Sequence, residues 1–163
     1  MSIILIIECI SICFETFIFI YLIDNSFKRR YFSKYVWVLL LSILQMIQHI
    51  VFGKIGLISI IPTMTFDLAV TFCGYAGKLR KKIFFVILFY SLSIVFDTFS
   101  ELLMTGLYAL IDITPFIISE WPIPTLILSK ISLLLVVILI GKSLRIETDL
   151  KDWLWFAPVP MVV

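Results

Sequence analysis

Residues 83–110 read IFFVILFYSLSIVFDTFSELLMTGLYAL, an apolar run with two acidic residues, Asp97 and Glu101, in its interior. About 20 apolar residues are enough for a helix to cross the hydrocarbon core of a bilayer. This longer run therefore predicts a transmembrane helix that tilts or projects beyond the bilayer. A charge in hydrocarbon costs roughly 2.5–3.5 kcal/mol, so the two carboxylates predict a polar surface inside a helix bundle.

The rest of the chain has the same apolar character. Hydrophobic residues make up 62% of the 163 positions and charged residues 15%, against about 45–50% and about 25% in soluble domains. Four further runs, at 3–23, 36–52, 57–75 and 124–140, bring the predicted full spans to five. A sixth run, 153–163, would rise only about 16 Å as a helix, so it is predicted to be truncated or interfacial. The sequence predicts one all-α polytopic transmembrane domain over residues 1–163.

Basic residues are confined to alternate connections between these runs, which predicts the orientation in the membrane. Eleven of the thirteen follow the first, third and fifth runs: Lys28, Arg29, Arg30, Lys34, Lys78, Arg80, Lys81, Lys82, Lys142, Arg145 and Lys151. The other two connections hold Lys54, Asp112 and Glu120. The positive-inside rule makes the basic connections cytoplasmic and the N-terminus extracellular in a multi-pass protein of the cell membrane. Aromatic residues interleaved with basic ones at 27–37 predict a headgroup anchor, with no nucleic-acid partner.

Polar residues recur at helical spacing within each run, which predicts an interior polar surface. The stripes are Glu8, Ser11 and Glu15; Ser42, Gln45 and His49; Thr63, Asp67 and Thr71; and Tyr90, Ser93, Asp97 and Glu101. The helical rise puts Glu15, Asp67 and Asp97 at middle depth, where we expect them to floor an outward-facing pocket. The predicted ligand-binding residues are Glu15, Asp67, Asp97, Glu101, Lys130, Glu8 and His49.

Several of these side chains have alternative interpretations. Lys130 either snorkels outward from the short fifth helix or forms an ion pair with Glu101. Asp97 and Glu101 lie one turn apart and repel, so one of them is expected to hold a proton or meet a cation. His49 is expected to be a hydrogen-bonded interior histidine.

The sequence predicts that the chain is not an enzyme and binds no cofactor or metal. It has no Gly-rich phosphate loop, no zinc-type His/Cys spacing and no serine nucleophile elbow. Asp67 and Asp97 could face each other, but no protease motif surrounds them. His49 and Cys73 are predicted to lie towards opposite membrane faces, which argues against a thiol–imidazole pair.

Two local segments carry a family resemblance. The basic turn GKLRKK at residues 77–82 enters the long fourth run, and KDWLWFAPVP at 151–160 looks like the start of a sixth span. With the overall layout, these segments resemble the membrane-embedded N-terminal half of AgrC-type quorum-sensing receptor histidine kinases, whose kinase half is of the GHKL type. The resemblance implies a sensor for a secreted peptide or small molecule, coupled to a cytoplasmic kinase domain or response regulator, and it allows a homodimer. The kinase domain itself has no counterpart in this chain.

Transport is the competing prediction. Interior carboxylates in a small helical chain also suit a substrate-binding membrane subunit of a vitamin-type transporter, or a proton-coupled carrier. Vitamin-binding subunits tend to carry an alanine-x-x-x-alanine face on their first helix, whereas no alanine precedes Ala69. A membrane fragment without independent activity is the third alternative.

Overall fold

The computed structural model describes residues 3–52, 56–110 and 123–143. They form α1 (Ile3–Ser26), β1 (Lys28–Arg29), α2 (Lys34–Phe52), α3 (Gly56–Gly74), β2 (Tyr75–Ala76), α4 (Leu79–Leu110) and α5 (Ile123–Ser143). Apart from one short two-stranded ladder, this part of the chain is helical, which confirms the predicted fold class. The predicted run 153–163, and the connections containing Lys54, Asp112 and Glu120, lie outside the described residues.

Four of the described helices are long and apolar enough to cross a membrane. They are Ile6–Ser26, Lys34–Val51, Leu79–Leu110 and Ile123–Lys142. The third predicted span forms a helix, Gly56–Gly74, with Pro62 inside it, but this helix is not among the four. The predicted count of five full spans is therefore not confirmed.

The outer surface of the bundle is apolar along whole helices. On α2 and α5 the exposed side chains recur about every four residues, at Leu39, Ile43, Ile47 and Ile50, and at Ile131, Leu135 and Leu139. Side chains spaced in this way share one face of a helix. These outward faces are compatible with contact with lipid.

The helices form a ring in chain order. α1 packs against α2 and α5, α2 against α3, α3 against α4, and α4 against α5. β1 pairs antiparallel with β2, with Lys28 opposite Ala76, so the ends of α1 and α3 lie side by side. Gly141 of α5 lies against Asn25 of α1. The predicted basic connections at 28–34 and 78–82, together with Lys142, therefore share one end of the bundle, here called the basic end.

The basic end is held together by main-chain contacts that the sequence analysis did not predict. Arg30 donates its backbone N–H to the Gly74 carbonyl at 2.8 Å. The buried Lys82 ammonium donates to the carbonyls of Phe72 at 3.2 Å and Tyr75 at 2.6 Å. The last carbonyls of a helix have no partner within the helix, so Lys82 caps the end of α3.

The interior of the bundle divides into two halves along the helices. The half next to the basic end is called the apolar half, and its interior is a dry core. Nine apolar side chains of this core are at most 1% exposed: Ile18, Phe19, Leu22, Ile23, Leu41, Val86, Phe89, Leu133 and Val137. In the other half, the polar half, the interior positions carry carboxylates, amides, hydroxyls and one ammonium. The candidate site lies in the polar half, directly beyond the dry core.

Candidate ligand-binding site

A cavity of about 200 Å³ lies in the polar half, between α1, α2, α3 and α4. Its volume equals that of about seven water molecules. Eleven of the described residues line it: Ile12, Glu15, Thr16, Phe19, Gln45, Gln48, His49, Thr63, Asp67, Phe89 and Tyr90. The lining combines two carboxylates, several neutral hydrogen-bonding groups and three aromatic rings, so the cavity is suited to a polar ligand with an apolar part.

Asp67 is the most deeply buried carboxylate of the cavity, at 1% exposure. Its Oδ1 accepts a hydrogen bond from Gln45 Nε2 at 3.0 Å, and its Oδ2 accepts one from Tyr90 Oη at 2.7 Å. Both donors are uncharged. The two bonds fix the direction of the carboxylate but leave its charge without a compensating cation from either partner.

The same network continues from Asp67 into α1. Thr16 Oγ1 lies 2.7 Å from Gln45 Oε1 and 2.8 Å from the Ile12 carbonyl. A hydroxyl has one proton to donate, so it serves these two acceptors alternately. Through Gln45, the network joins α1, α2, α3 and α4 around the cavity.

A second network joins α1 and α4 to α5 through a buried lysine. Lys130 is 7% exposed, and its Nζ lies 2.9 Å from Glu15 Oε2 and 3.3 Å from Asp97 Oδ1. Glu15 Oε1 also accepts a hydrogen bond from Ser93 at 2.8 Å. Ser129 donates to Asp97 Oδ1. Glu15 therefore both lines the cavity and holds the lysine of α5.

The two expectations for Lys130 are corrected by these contacts. Lys130 points into the bundle and does not snorkel outward, because two carboxylates surround its ammonium group. The predicted pair with Glu101 is not formed, and Glu101 is exposed on α4. Of the two neighbouring carboxylates, Asp97 is the one that meets a cation.

The other predicted site residues divide between the cavity and its surroundings. Glu15, Asp67 and His49 line the cavity, whereas Asp97 lies beside α5 and does not contribute to this floor. His49 Nε2 lies 3.1 Å from Glu8 Oε2, so it is a hydrogen-bonded interior histidine, as expected. Two of the three carboxylates predicted to floor the pocket thus lie in it.

Three polar residues of the two networks were missed by the sequence analysis. Gln48 donates from Nε2 to Thr63 Oγ1 at 2.9 Å, and its position three residues after Gln45 was an available signal. Thr16 lies off the stripe formed by Glu8 and Glu15, so spacing gave no reason to choose it. Ser129 carries no signal beyond its position next to Lys130.

A second, apolar cavity of about 270 Å³ lies between α1 and α5. It is lined by Ile7, Ile10, Ser11, Phe14, Ile123, Leu126, Ile127, Lys130 and Ile131. Glu15 lines the polar cavity and Lys130 lines the apolar one, so their ion pair stands between the two. A change at this pair would affect both cavities.

The arrangement offers charge and hydrogen bonds but no assembled nucleophile. In the described ranges, no group of three or more His, Cys, Asp and Glu side chains is placed to hold a metal ion. His49 contacts Glu8, while Cys73 is exposed on the last turn of α3. The carboxylates of the cavity can accept hydrogen bonds from a ligand, and its amide and hydroxyl groups can donate or accept them.

Comparison of the chain with protein-family models, with curated proteins and with solved structures returned no match.

Proposed function

We propose that the chain is a membrane sensor domain that binds an extracellular ligand in the polar cavity and reports its presence through α5. The observation that supports this function is the double role of Glu15, which lines the cavity and pairs with Lys130 of α5 at 2.9 Å. A ligand group that interacts with Glu15 competes with Lys130. Binding therefore shifts the equilibrium between two positions of α5.

The distribution of charge supports an outward-facing site. If the basic end lies in the cytoplasm, as the positive-inside rule requires, the polar half and its cavity lie towards the outer face. The N-terminus is then extracellular, and α5 ends on the cytoplasmic side. A cytoplasmic kinase module would be reached from this end, in agreement with the resemblance to AgrC-type receptor kinases.

A carrier is the second candidate function. Asp67 is a buried carboxylate inside a membrane-length bundle, and such groups bind protons or cations in transporters. The apolar half counts against this function. Alternating access to the basic end would have to open a core whose central side chains have no exposed surface.

The sensor function is tested by measuring the distance between α4 and α5 at the basic end. Spin labels are attached at Lys81→Cys and Lys142→Cys after Cys9, Cys13 and Cys73 have been replaced by serine, and the chain is placed in lipid nanodiscs. The probe is the peptide fraction of spent growth medium from the source organism. We expect the fraction to change the distance distribution in this chain and in an E101Q control, but not in E15Q.

The carrier function is tested with the same fraction and the chain in sealed vesicles. Binding without accumulation of medium components inside the vesicles supports a sensor. Accumulation that depends on Asp67 would assign a carrier, and an unchanged α4–α5 distance would overturn the sensor function.

A further inference from the structure

We infer that the polar cavity binds an organic ammonium group, held by the Asp67 carboxylate among the aromatic side chains that line the same cavity. This inference deepens the proposed function and rests on it, since it names the class of ligand for the same cavity. It starts from a shortage of cations around the cavity.

The two networks contain three carboxylates and one lysine, and the lysine contacts only two of the carboxylates. Lys130 contacts Glu15 and Asp97, while Asp67 receives its hydrogen bonds from Gln45 and Tyr90. A carboxylate removed from water is strongly unfavourable in its ionised form, so it either takes up a proton or is compensated by a cation. Within the described part of the chain, Asp67 is thus the carboxylate of the cavity that a bound cation would compensate.

His49 does not supply this cation. It is the one basic side chain among the described residues that line the cavity, and its Nε2 is directed to Glu8 Oε2 at 3.1 Å. Any positive charge on the ring is therefore paired with Glu8. The space beside Asp67 remains available to a ligand.

The aromatic lining favours an organic cation. The rings of Phe19 and Phe89 lie 5.1 Å apart, and those of Phe89 and Tyr90 lie 5.9 Å apart. All three residues line the same cavity as Asp67, and the rings of each pair meet edge to face. Aromatic rings attract ammonium groups through their quadrupole. A carboxylate in a cavity lined by aromatic rings is a combination that recognises alkylammonium ions.

Two other cations fit the cavity less well. A divalent metal ion requires several oxygen ligands, and the described residues contain no cluster that would supply them. A guanidinium group prefers two parallel bonds to both oxygens of a carboxylate, so it would have to share both oxygens of Asp67 with the donors Gln45 and Tyr90. A compact ammonium group needs only one oxygen.

The volume limits the size of the bound group. A cavity of about 200 Å³ holds a small amine or the first residue of a peptide with its free amino group. Both sources present the same ammonium chemistry. They differ outside the cavity, because a peptide continues beyond its first residue and a small amine does not.

The experiment compares a cation with a neutral molecule of the same shape. Thermal unfolding of the chain in lipid nanodiscs is followed with increasing butylammonium or butan-1-ol. We expect a saturable rise of the unfolding temperature with butylammonium alone, because ligand that binds only the folded state stabilises it. If butylammonium produces no such rise, or if butan-1-ol produces an equal one, the inference is overturned by the unmodified chain alone.

Variants then locate the binding group. D67N should weaken the apparent butylammonium affinity by about tenfold or more, since a charge-assisted bond is lost. E101Q removes an exposed carboxylate of α4 and should leave the affinity unchanged. Equal affinities of D67N and the wild-type chain would remove Asp67 from the site.

Two further arms separate the sources and the two proposals. If leucinamide binds more tightly than butylammonium and N-acetyl-leucinamide does not bind, the ligand is a peptide with a free amino terminus. If butylammonium binds more tightly than leucinamide, the ligand is a small amine. If the medium fraction changes the α4–α5 distance but butylammonium does not bind, the sensor function stands and the ligand class is overturned. If butylammonium binds but neither butylammonium nor the medium fraction changes the α4–α5 distance, the ligand class stands and the sensor function is overturned.

Discussion

Lys130 is the side chain on which the interior charges of this bundle depend most. It is 7% exposed and contacts carboxylates of two other helices. We expect K130M to lower the free energy of unfolding by about 1–3 kcal/mol, because Glu15 and Asp97, which are 29% and 49% exposed, lose their shared cation. Unfolding by denaturant in mixed micelles measures this loss.

A double-mutant cycle provides the control for Lys130. E15Q/K130M should be more stable than the sum of the single changes predicts, by about 1 kcal/mol or more, since E15Q removes one of the stranded charges. K142M, at the exposed end of α5, should change the stability little. A K130M variant as stable as K142M would show that the ion pair contributes nothing.

The sequence predicted which helix faces carry the polar residues better than it predicted their burial and their partners. Helical spacing placed Asp97 and Glu101 on one face of α4 and predicted a pair between Glu101 and Lys130, whereas both acidic residues are exposed and Lys130 contacts Asp97. The choice depends on the level at which α5 lies beside α4 and α1. That level is set by packing between helices, which no local pattern contains. For the same reason Thr16, which meets Gln45 across a helix interface, escaped prediction.

At the scale of the elements, the packing of α2 on α3 depends on one glycine. A Cβ at Gly74 would lie 2.7 Å from Trp37 Cε2, closer than van der Waals contact allows. We expect G74A to destabilise the chain by about 1–3 kcal/mol through overpacking. The measurement is the thermal unfolding temperature in nanodiscs.

Gly106 is the matched control for this substitution. It lies within α4, and nothing would lie within 4 Å of an added Cβ. G106A should leave stability unchanged or raise it by up to about 1 kcal/mol, because alanine favours helix over glycine. Equal losses for the two variants would show that Trp37 does not limit the space at Gly74.

The cap that Lys82 forms on α3 makes a separate prediction. K82M leaves the carbonyls of Phe72 and Tyr75 without this donor, at a cost of about 1.5–3 kcal/mol. Amide hydrogen exchange at residues 72–76 should then become faster. K81M alters the exposed neighbouring lysine and should leave exchange unchanged, and equal protection in both variants would refute the cap.

The ladder of β1 and β2 shows a limit of element prediction. Each strand has two residues, too few for an alternating pattern. Their pairing arises because α1 and α3 end beside each other, so the ladder follows from the arrangement of the helices. The basic turns that contain it were predicted correctly only as connections.

At the scale of the whole molecule, the orientation in the membrane follows from the basic end. Two single-cysteine variants test it, made in the chain whose three cysteines are replaced by serine. Lys78→Cys places a thiol at the basic end. Leu110→Cys places one at the opposite end of α4, where the native leucine is 83% exposed. A membrane-impermeant maleimide added to intact cells should label the cysteine at 110 and not the one at 78. Labelling of both after permeabilisation is the control, and the opposite pattern in intact cells would invert the proposed topology.

The dry core next to the basic end has a consequence for ion leakage. Along α1 it extends from Ile18 to Ile23, about 8 Å at the rise of a helix, and Leu22, Leu41, Leu133 and Val137 are fully buried across it. A fully buried apolar layer disfavours a file of water molecules, so we expect an ion that enters the cavity to leave by the mouth through which it came. In this conformation the described bundle would not conduct ions, and a cell could carry many copies without dissipating its membrane potential.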